Sequence, residues 1–170
     1  MIKKKIEDIC NRQVHREAYS SHLYLAMASW AENNGYPGIA SWLYVQSDEE
    51  RLHMLKFIKY INERGGKAIL PLLEKPPVDF KSVEEAFKEV LKHENFISES
   101  INEIVGVAFD EKDFTTHNWV QWFVAEQIQE EASAVAIIDK LKLVGSTNMY
   151  LFDKDILAMR TVAANTAPAV

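Results

Sequence analysis

Residues 87–108 read FKEVLKHENFISESINEIVGVA. The apolar positions Phe87, Val90, Ile97, Ile101, Ile104 and Ala108 return every three or four residues, and one acid, Glu94, takes a place in the same series. That period is one face of an α-helix and not of a strand. The acid is the informative letter. An unpaired carboxylate in an apolar interior is costly or stays protonated, so a helix that keeps one on its inner face has something to pair it with.

Three other segments repeat the pattern. One stripe carries Val120, Phe123, Gln127, Glu130, Ala134, Ile137, Leu141 and Val144. Another carries Ile6, Cys10, Gln13, Glu17, Ser20, Tyr24 and Met27, and a third carries Leu43, Ser47, Glu50, Met54, Phe57 and Ile61, with His53 one turn from Glu50. Gly and Pro cluster outside these stripes, in 33–38, in 65–77 and in a C-terminal tail with Pro168. They punctuate helices. The spacing predicts helices over 5–34, 38–65, 83–110 and 114–144, and a shorter fifth over 147–163. Ser82, with Glu85 three residues on, is an N-cap signal, and Gly145 is a stop signal.

Four helices of this length are each about 40 Å long. The turns near Gly35 and Lys112 are short, so the flanking helices are antiparallel neighbours. The link between the second and third helices is about 17 residues, which spans about 55 Å when extended. The second and third helices are therefore expected to run parallel, joined by one long crossover. The polar interruptions then share a height. Glu17 lies 18 residues before Gly35 and Glu50 lies 15 after it, while Glu94 lies 18 before Lys112 and Gln127 and Glu130 lie 15 and 18 after it.

Four acids, one imidazole and one amide in a single layer make a site for a hard or borderline divalent cation. The donor set favours iron or manganese, and the lack of thiolates argues against structural zinc. Glu50 and His53, three apart, present two ligands on one helical face. The counterpart pair on the fourth helix is Gln127 and Glu130. One cation site is thus expected to hold the histidine and the other to be all oxygen. A metal-free helical interaction protein would not need four matched interruptions.

The 170 residues suit one domain, here 1–165 with a tail over 166–170. A net charge of −6 argues against nucleic-acid binding. The single cysteine, Cys10, permits no intrachain disulfide and fits a reducing compartment. Charges interrupt every apolar run, so neither a membrane span nor a leader is expected, and the reading is cytoplasmic.

The segments around Glu17 to Tyr24, Asp48-Glu49-Glu50-Arg51-Leu52-His53, His93-Glu94 and Trp122-Phe123-Val124-Ala125-Glu126-Gln127 resemble prokaryotic non-haem ferritin, and the resemblance runs over roughly residues 1–165. It implies an all-α, ferritin-like four-helix bundle with one long crossover plus a short fifth C-terminal helix. It implies iron storage in a homo-oligomeric shell of 24 subunits with octahedral symmetry, and a di-iron ferroxidase centre in each subunit using O₂ or H₂O₂. On the matching positions, Glu17, Glu50 and His53 would hold the first iron, and Glu50, Glu94 and Glu130 the second. Gln127 would hydrogen-bond beside the centre, with Tyr24 and Trp122 as the neighbouring aromatics. A third iron site would match Glu49, Glu126 and Glu130.

The chain departs from the pattern in three places. The usual acid of the third site falls on Gln129, so that site is expected to be weaker. The acids of the animal three-fold channel fall on His117 and Val120, which implies a less acidic pore or another entry route. Arg51 stands where haem-binding relatives have methionine, so no haem is expected. The fifth helix carries Met149, Phe152, Ile156 and Met159 in one stripe. With four helices already complete, that stripe is expected to be covered by neighbouring subunits at the four-fold axis. A peroxide reductase of the rubrerythrin kind would need a second Glu-x-x-His, and a twelve-subunit stress ferritin would lack the C-terminal helix.

Overall fold

The computed structural model describes residues 1–159. Four long helices dominate: α1 (Lys4–Asn33), α2 (Pro37–Glu63), α3 (Val83–Asp110) and α4 (Phe114–Val144). A 3₁₀ turn (Ser146–Asn148) leads into α5 (Met149–Asp155), and a second 3₁₀ turn (Ile156–Met159) follows. There is no strand among the described residues. The expected fifth helix over 147–163 is thus shorter and mixed, and its last part, 160–163, lies outside the described residues together with the tail over 166–170.

Local chemistry sets the helix ends. Ser82 caps α3, its hydroxyl accepting from the Glu85 N–H at 3.1 Å, while the Glu85 carboxylate accepts from the Lys81 N–H at 2.5 Å. Asp113 caps α4 by accepting from the Thr116 N–H at 3.0 Å, and Arg64 at the end of α2 pairs with the same carboxylate at 3.0 Å. Each cap satisfies an amide that the helix leaves open. Gly145 ends α4 at φ 61, a conformation that costs a residue with a side chain.

The crossover, residues 64–82, climbs alongside α1. Asn11 receives the Ile69 N–H at 2.8 Å and donates to the Lys67 carbonyl at 3.0 Å. Glu74 pairs with His15 at 3.1 Å, and Phe80 packs edge-on against Trp30 at 5.4 Å. Chain positions 67, 74 and 80 therefore meet successively later positions of α1. This brings the start of α3 to the far end of the bundle from the end of α2, so α2 and α3 run parallel, as the loop length required.

The apolar core is split in two. One cluster gathers Leu23, Met27, Trp42, Leu43, Phe87, Val90, Ile137, Leu141, Phe152 and Ile156. The other gathers Ile6, Ile9, Val14, Phe57, Ile61, Ile97, Ile101, Ile104, Val120 and Phe123. Buried polar side chains fill the layer between them.

One expectation changes here. The stripe on the fifth helix is covered by the chain itself, because Phe152 and Ile156 are buried in the first cluster and Met149 and Met159 pack against it. The Asp153 carboxylate also receives the Gly38 and Ile39 N–H groups of α2. A neighbouring subunit is not needed to bury that stripe; Tyr150, Leu151 and Leu157 form the exposed side instead. Val120 is fully buried in the second cluster, as its place on the α4 stripe requires. His117 alone of that pair reaches the surface.

Candidate metal centre

The polar layer is built from the inner faces of all four long helices. α1 supplies Gln13, Glu17, Ser20 and Tyr24, α2 supplies Gln46, Ser47, Glu50 and His53, α3 supplies Glu94, and α4 supplies Gln127, all of them buried. Glu130 on α4 is half-buried. Helical spacing puts each set on one face, and the two clusters close the layer above and below, leaving Glu130 on its more open side.

Glu17, Glu50 and His53 each present one ligand atom within 4.8 Å of the others. His53 Nδ1 stands 3.4 Å from Glu50 Oε2. Its ring is wedged edge-on against Trp122 and Phe123 at 5.5 and 5.7 Å, which limits its rotation. Glu94 and Glu130 stand outside this trio and are held by other donors. The Tyr24 hydroxyl donates to Glu94 Oε1, and Gln127 Nε2 donates to Glu94 Oε2 at 3.1 Å. Gln46 Nε2 donates to Glu130 Oε2 at 2.6 Å.

The electrostatics are those of crowded acids. Burial, then the neighbouring Glu50 charge, pushes Glu17 well above the usual carboxylate range. Burial, then Glu94 and Glu130, does the same to Glu50. Burial raises Glu94 against the opposing hydrogen bonds from Tyr24 and Gln127. Glu130 is pushed up to about 8 by burial and then by Glu94. The described residues bring no Lys or Arg into hydrogen-bonding or ion-pair contact with these four carboxylates. Glu17 Oε2 is buried and receives no N–H or hydroxyl donor; the Glu17 carboxyl meets Glu50, and without a cation the two can bond only by sharing a proton. A buried oxygen without a donor is costly, and a cation beside it removes that cost. The donor set fits a divalent ion of intermediate hardness.

Glu49 and Glu126, the further pair, are both half-buried. Burial raises Glu126, and the Glu49 charge adds to that rise. Glu49 also raises Glu130, so the three acids share one field. Gln129 is exposed. Lys56 sits over the Trp122 ring at 3.4 Å and offsets part of the charge on Glu126.

Sequence reasoning missed Gln46. It falls between the apolar positions that define the α2 stripe, and only the cross-helix bond to Glu130 gives it a role. Gln13 was visible on its stripe but had no assigned task. Ser98 and Glu131, which continue the hydrogen bonding outward from Gln127, carried no sequence signal.

Residues 7–144 match the family described as Ferritin-like domain. A probable bacterial non-heme ferritin-like protein of Haemophilus influenzae is 38% identical over 165 residues, which is 96% of this chain and 100% of that one. The bacterial non-heme ferritin of Campylobacter jejuni is 37% identical over 158 residues, covering 92% of this chain and 95% of its own. Among solved structures, an open-pore ferritin from the hyperthermophilic archaeon Archaeoglobus fulgidus superimposes with a TM-score of 0.89 at 42% identity, covering 91% of this chain and 96% of that chain. A family match over the four long helices, and relatives aligned nearly end to end, give the same answer as the fold: the chain belongs to the ferritin family.

Proposed function

We propose that this chain is an iron-storage subunit that oxidises Fe²⁺ at a two-iron centre in its own bundle and passes Fe³⁺ to a mineral held inside a shell of 24 copies. Iron is the substrate. Glu17, Glu50 and His53 take the first ion; Glu50, Glu94 and Glu130 take the second, with Glu50 shared. The observation that carries this reading is the buried trio, whose ligand atoms converge within 4.8 Å, with one Glu17 oxygen reached by no N–H or hydroxyl donor.

The chemistry follows from charge. Four carboxylates balance two Fe²⁺ ions, and oxygen ligands favour the trivalent state. Two ferrous ions together give two electrons. With H₂O₂ and two protons the products are two Fe³⁺ and two waters; with O₂ and two protons they are two Fe³⁺ and H₂O₂. The oxygen-only position, with the more exposed Glu130, is the one from which product exchanges. Glu49 and Glu126 form a third, weaker position beside it. Tyr24, hydrogen-bonded to Glu94, and Trp122, packed on His53, hold those two ligands in place.

The test is rapid mixing of Fe²⁺ with oxygenated protein. Glu94→Ala combined with Glu130→Ala is expected to slow oxidation by more than about 100-fold, beyond the usual loss from an outer-shell substitution, while particle size is unchanged. Unchanged oxidation rates would refute the assignment. Native mass spectrometry of the same samples reads the number of copies; a monomer or a twelve-subunit particle would overturn the shell of 24.

A further inference from the structure

Three of the four central carboxylates are each gripped by a buried glutamine. Gln13 Nε2 donates to Glu17 Oε1 at 2.8 Å, Gln46 Nε2 to Glu130 Oε2 at 2.6 Å, and Gln127 Nε2 to Glu94 Oε2 at 3.1 Å. Resting on the two-iron reading, we propose that Gln13 and Gln46 are positioning residues, one for each cation: each occupies one oxygen of a terminal carboxylate and turns the other toward the ion.

Glu17 shows the arrangement directly. Gln13 takes Oε1, and Oε2 is left buried with no N–H or hydroxyl donor, facing the acid-lined centre that Glu50 shares. Gln13 is itself locked. Its own Oε1 accepts from the Ser100 hydroxyl of α3 at 2.8 Å. Flipping the amide would set its oxygen against the Glu17 carboxylate, so the acid fixes which end of Gln13 faces it, while the Ser100 hydroxyl, which also reaches the Ile97 carbonyl at 2.7 Å, steadies the far end of the amide. Gln46 works across helices, reaching from α2 to Glu130 on α4. Glu130 is the least buried of the four acids and has the most freedom to swing, so a tether there controls the second ion.

The choice of an amide has a physical reason. Lysine or arginine would also donate, but each would cancel a charge that the cation pair needs. A leucine would leave both carboxylate oxygens without a donor. A neutral donor orients the acid and leaves its charge intact. Outer-shell donors of this kind tune metal sites by orienting the ligands that touch the ion.

The bland alternative is that both glutamines merely fill hydrogen bonds in a packed core. The two ideas differ in a measurable way. Titrating the metal-stripped, full-length protein with Co²⁺ and following its d–d absorption separates the histidine-containing site from the oxygen-only site. The unaltered chain is expected to fill them in two steps. Gln13→Leu should weaken the first step by about 10–100-fold and leave the second nearly unchanged, and Gln46→Leu should do the reverse. Ser100→Ala, a smaller change that releases Gln13, should weaken the first step alone by several-fold, and it serves if Gln13→Leu does not fold. The proposal is overturned if these variants bind Co²⁺ as the unaltered chain does. It is equally overturned if both steps weaken together in proportion to the fall in melting temperature. No Co²⁺ uptake by the unaltered chain would instead sink the two-iron reading itself.

Discussion

Asp153 closes over the start of α2: its carboxylate accepts the Ile39 N–H at 2.8 Å and the Gly38 N–H at 3.1 Å. The cap comes from a residue more than a hundred positions later in the chain, and Asp153 is buried. A helix N-terminus carries unpaired amides and a partial positive charge, so a carboxylate there is doubly favourable. The contact ties α5 to the turn between α1 and α2. It also explains the glycine, because a Cβ at position 38 would stand 1.7 Å from the Asp153 carbonyl oxygen.

Asp153→Ala should therefore lower stability by about 1 kcal/mol, the usual worth of a cap, or about 2–4 °C in melting temperature for a chain of this size. Gly38→Ala should cost more, since a backbone must move and not only a side chain. Thermal melts of the two variants check the order; a Gly38→Ala variant as stable as the parent would show that α5 does not dock as described.

Cys10 offers a second check on packing. It is fully buried at the end of the core that holds Ile6 and Ile9, and burial pushes its thiol up to about 12. Nucleophilic attack needs the thiolate, so the native thiol should be inert. A disulfide-exchange reagent at neutral pH should label it no faster than the chain unfolds, and fully in denaturant. Rapid labelling of the native protein would mean that the cluster around Ile6 and Ile9 is open.

The contrast between α3 and α5 shows what the sequence could and could not reveal. Glu94 was legible because it interrupts an otherwise apolar three-four stripe, and a buried charge is improbable without a partner. The parallel run of α2 and α3 was legible because 19 residues, 64–82, lie between Glu63 and Val83, and only a crossover uses such a length. The docking of α5 was not legible. Its stripe, Phe152 and Ile156, looks the same whether it faces its own bundle or a neighbour. The deciding contact, Asp153 with Gly38, joins residues with no periodic relation. Val120 was legible in the same way as Glu94. Its place in the stripe with Phe123 and Gln127 points it into the core, and the structure buries it there.

The crowded acids predict how the metal-stripped protein responds to pH. Glu130 has its folded value raised from 4.5 to about 8, chiefly by burial; Glu17 is raised well above 4.5 by burial and then by Glu50, and Glu50 by burial and then by Glu94 and Glu130. A raised acid keeps its proton in the folded state at a pH where the unfolded chain has released it. The folded state then binds more protons than the unfolded one, and stability falls as pH increases. The contribution from these acids is complete below about pH 4.5 and declines as pH rises through the folded values, toward about pH 8 for Glu130. A divalent cation should reverse the trend, because it replaces the protons and releases them to solvent. Melting temperature measured between about pH 5 and about pH 8 should drop for the stripped protein, and drop less for Glu50→Gln, which removes one raised acid. Adding Co²⁺ should restore stability most at the alkaline end, and calorimetry in buffers of different ionisation enthalpy should show net proton release. A stripped protein whose stability climbed over that range as steeply with Glu50 as with Gln at that position would mean that these carboxylates do not share a dry layer.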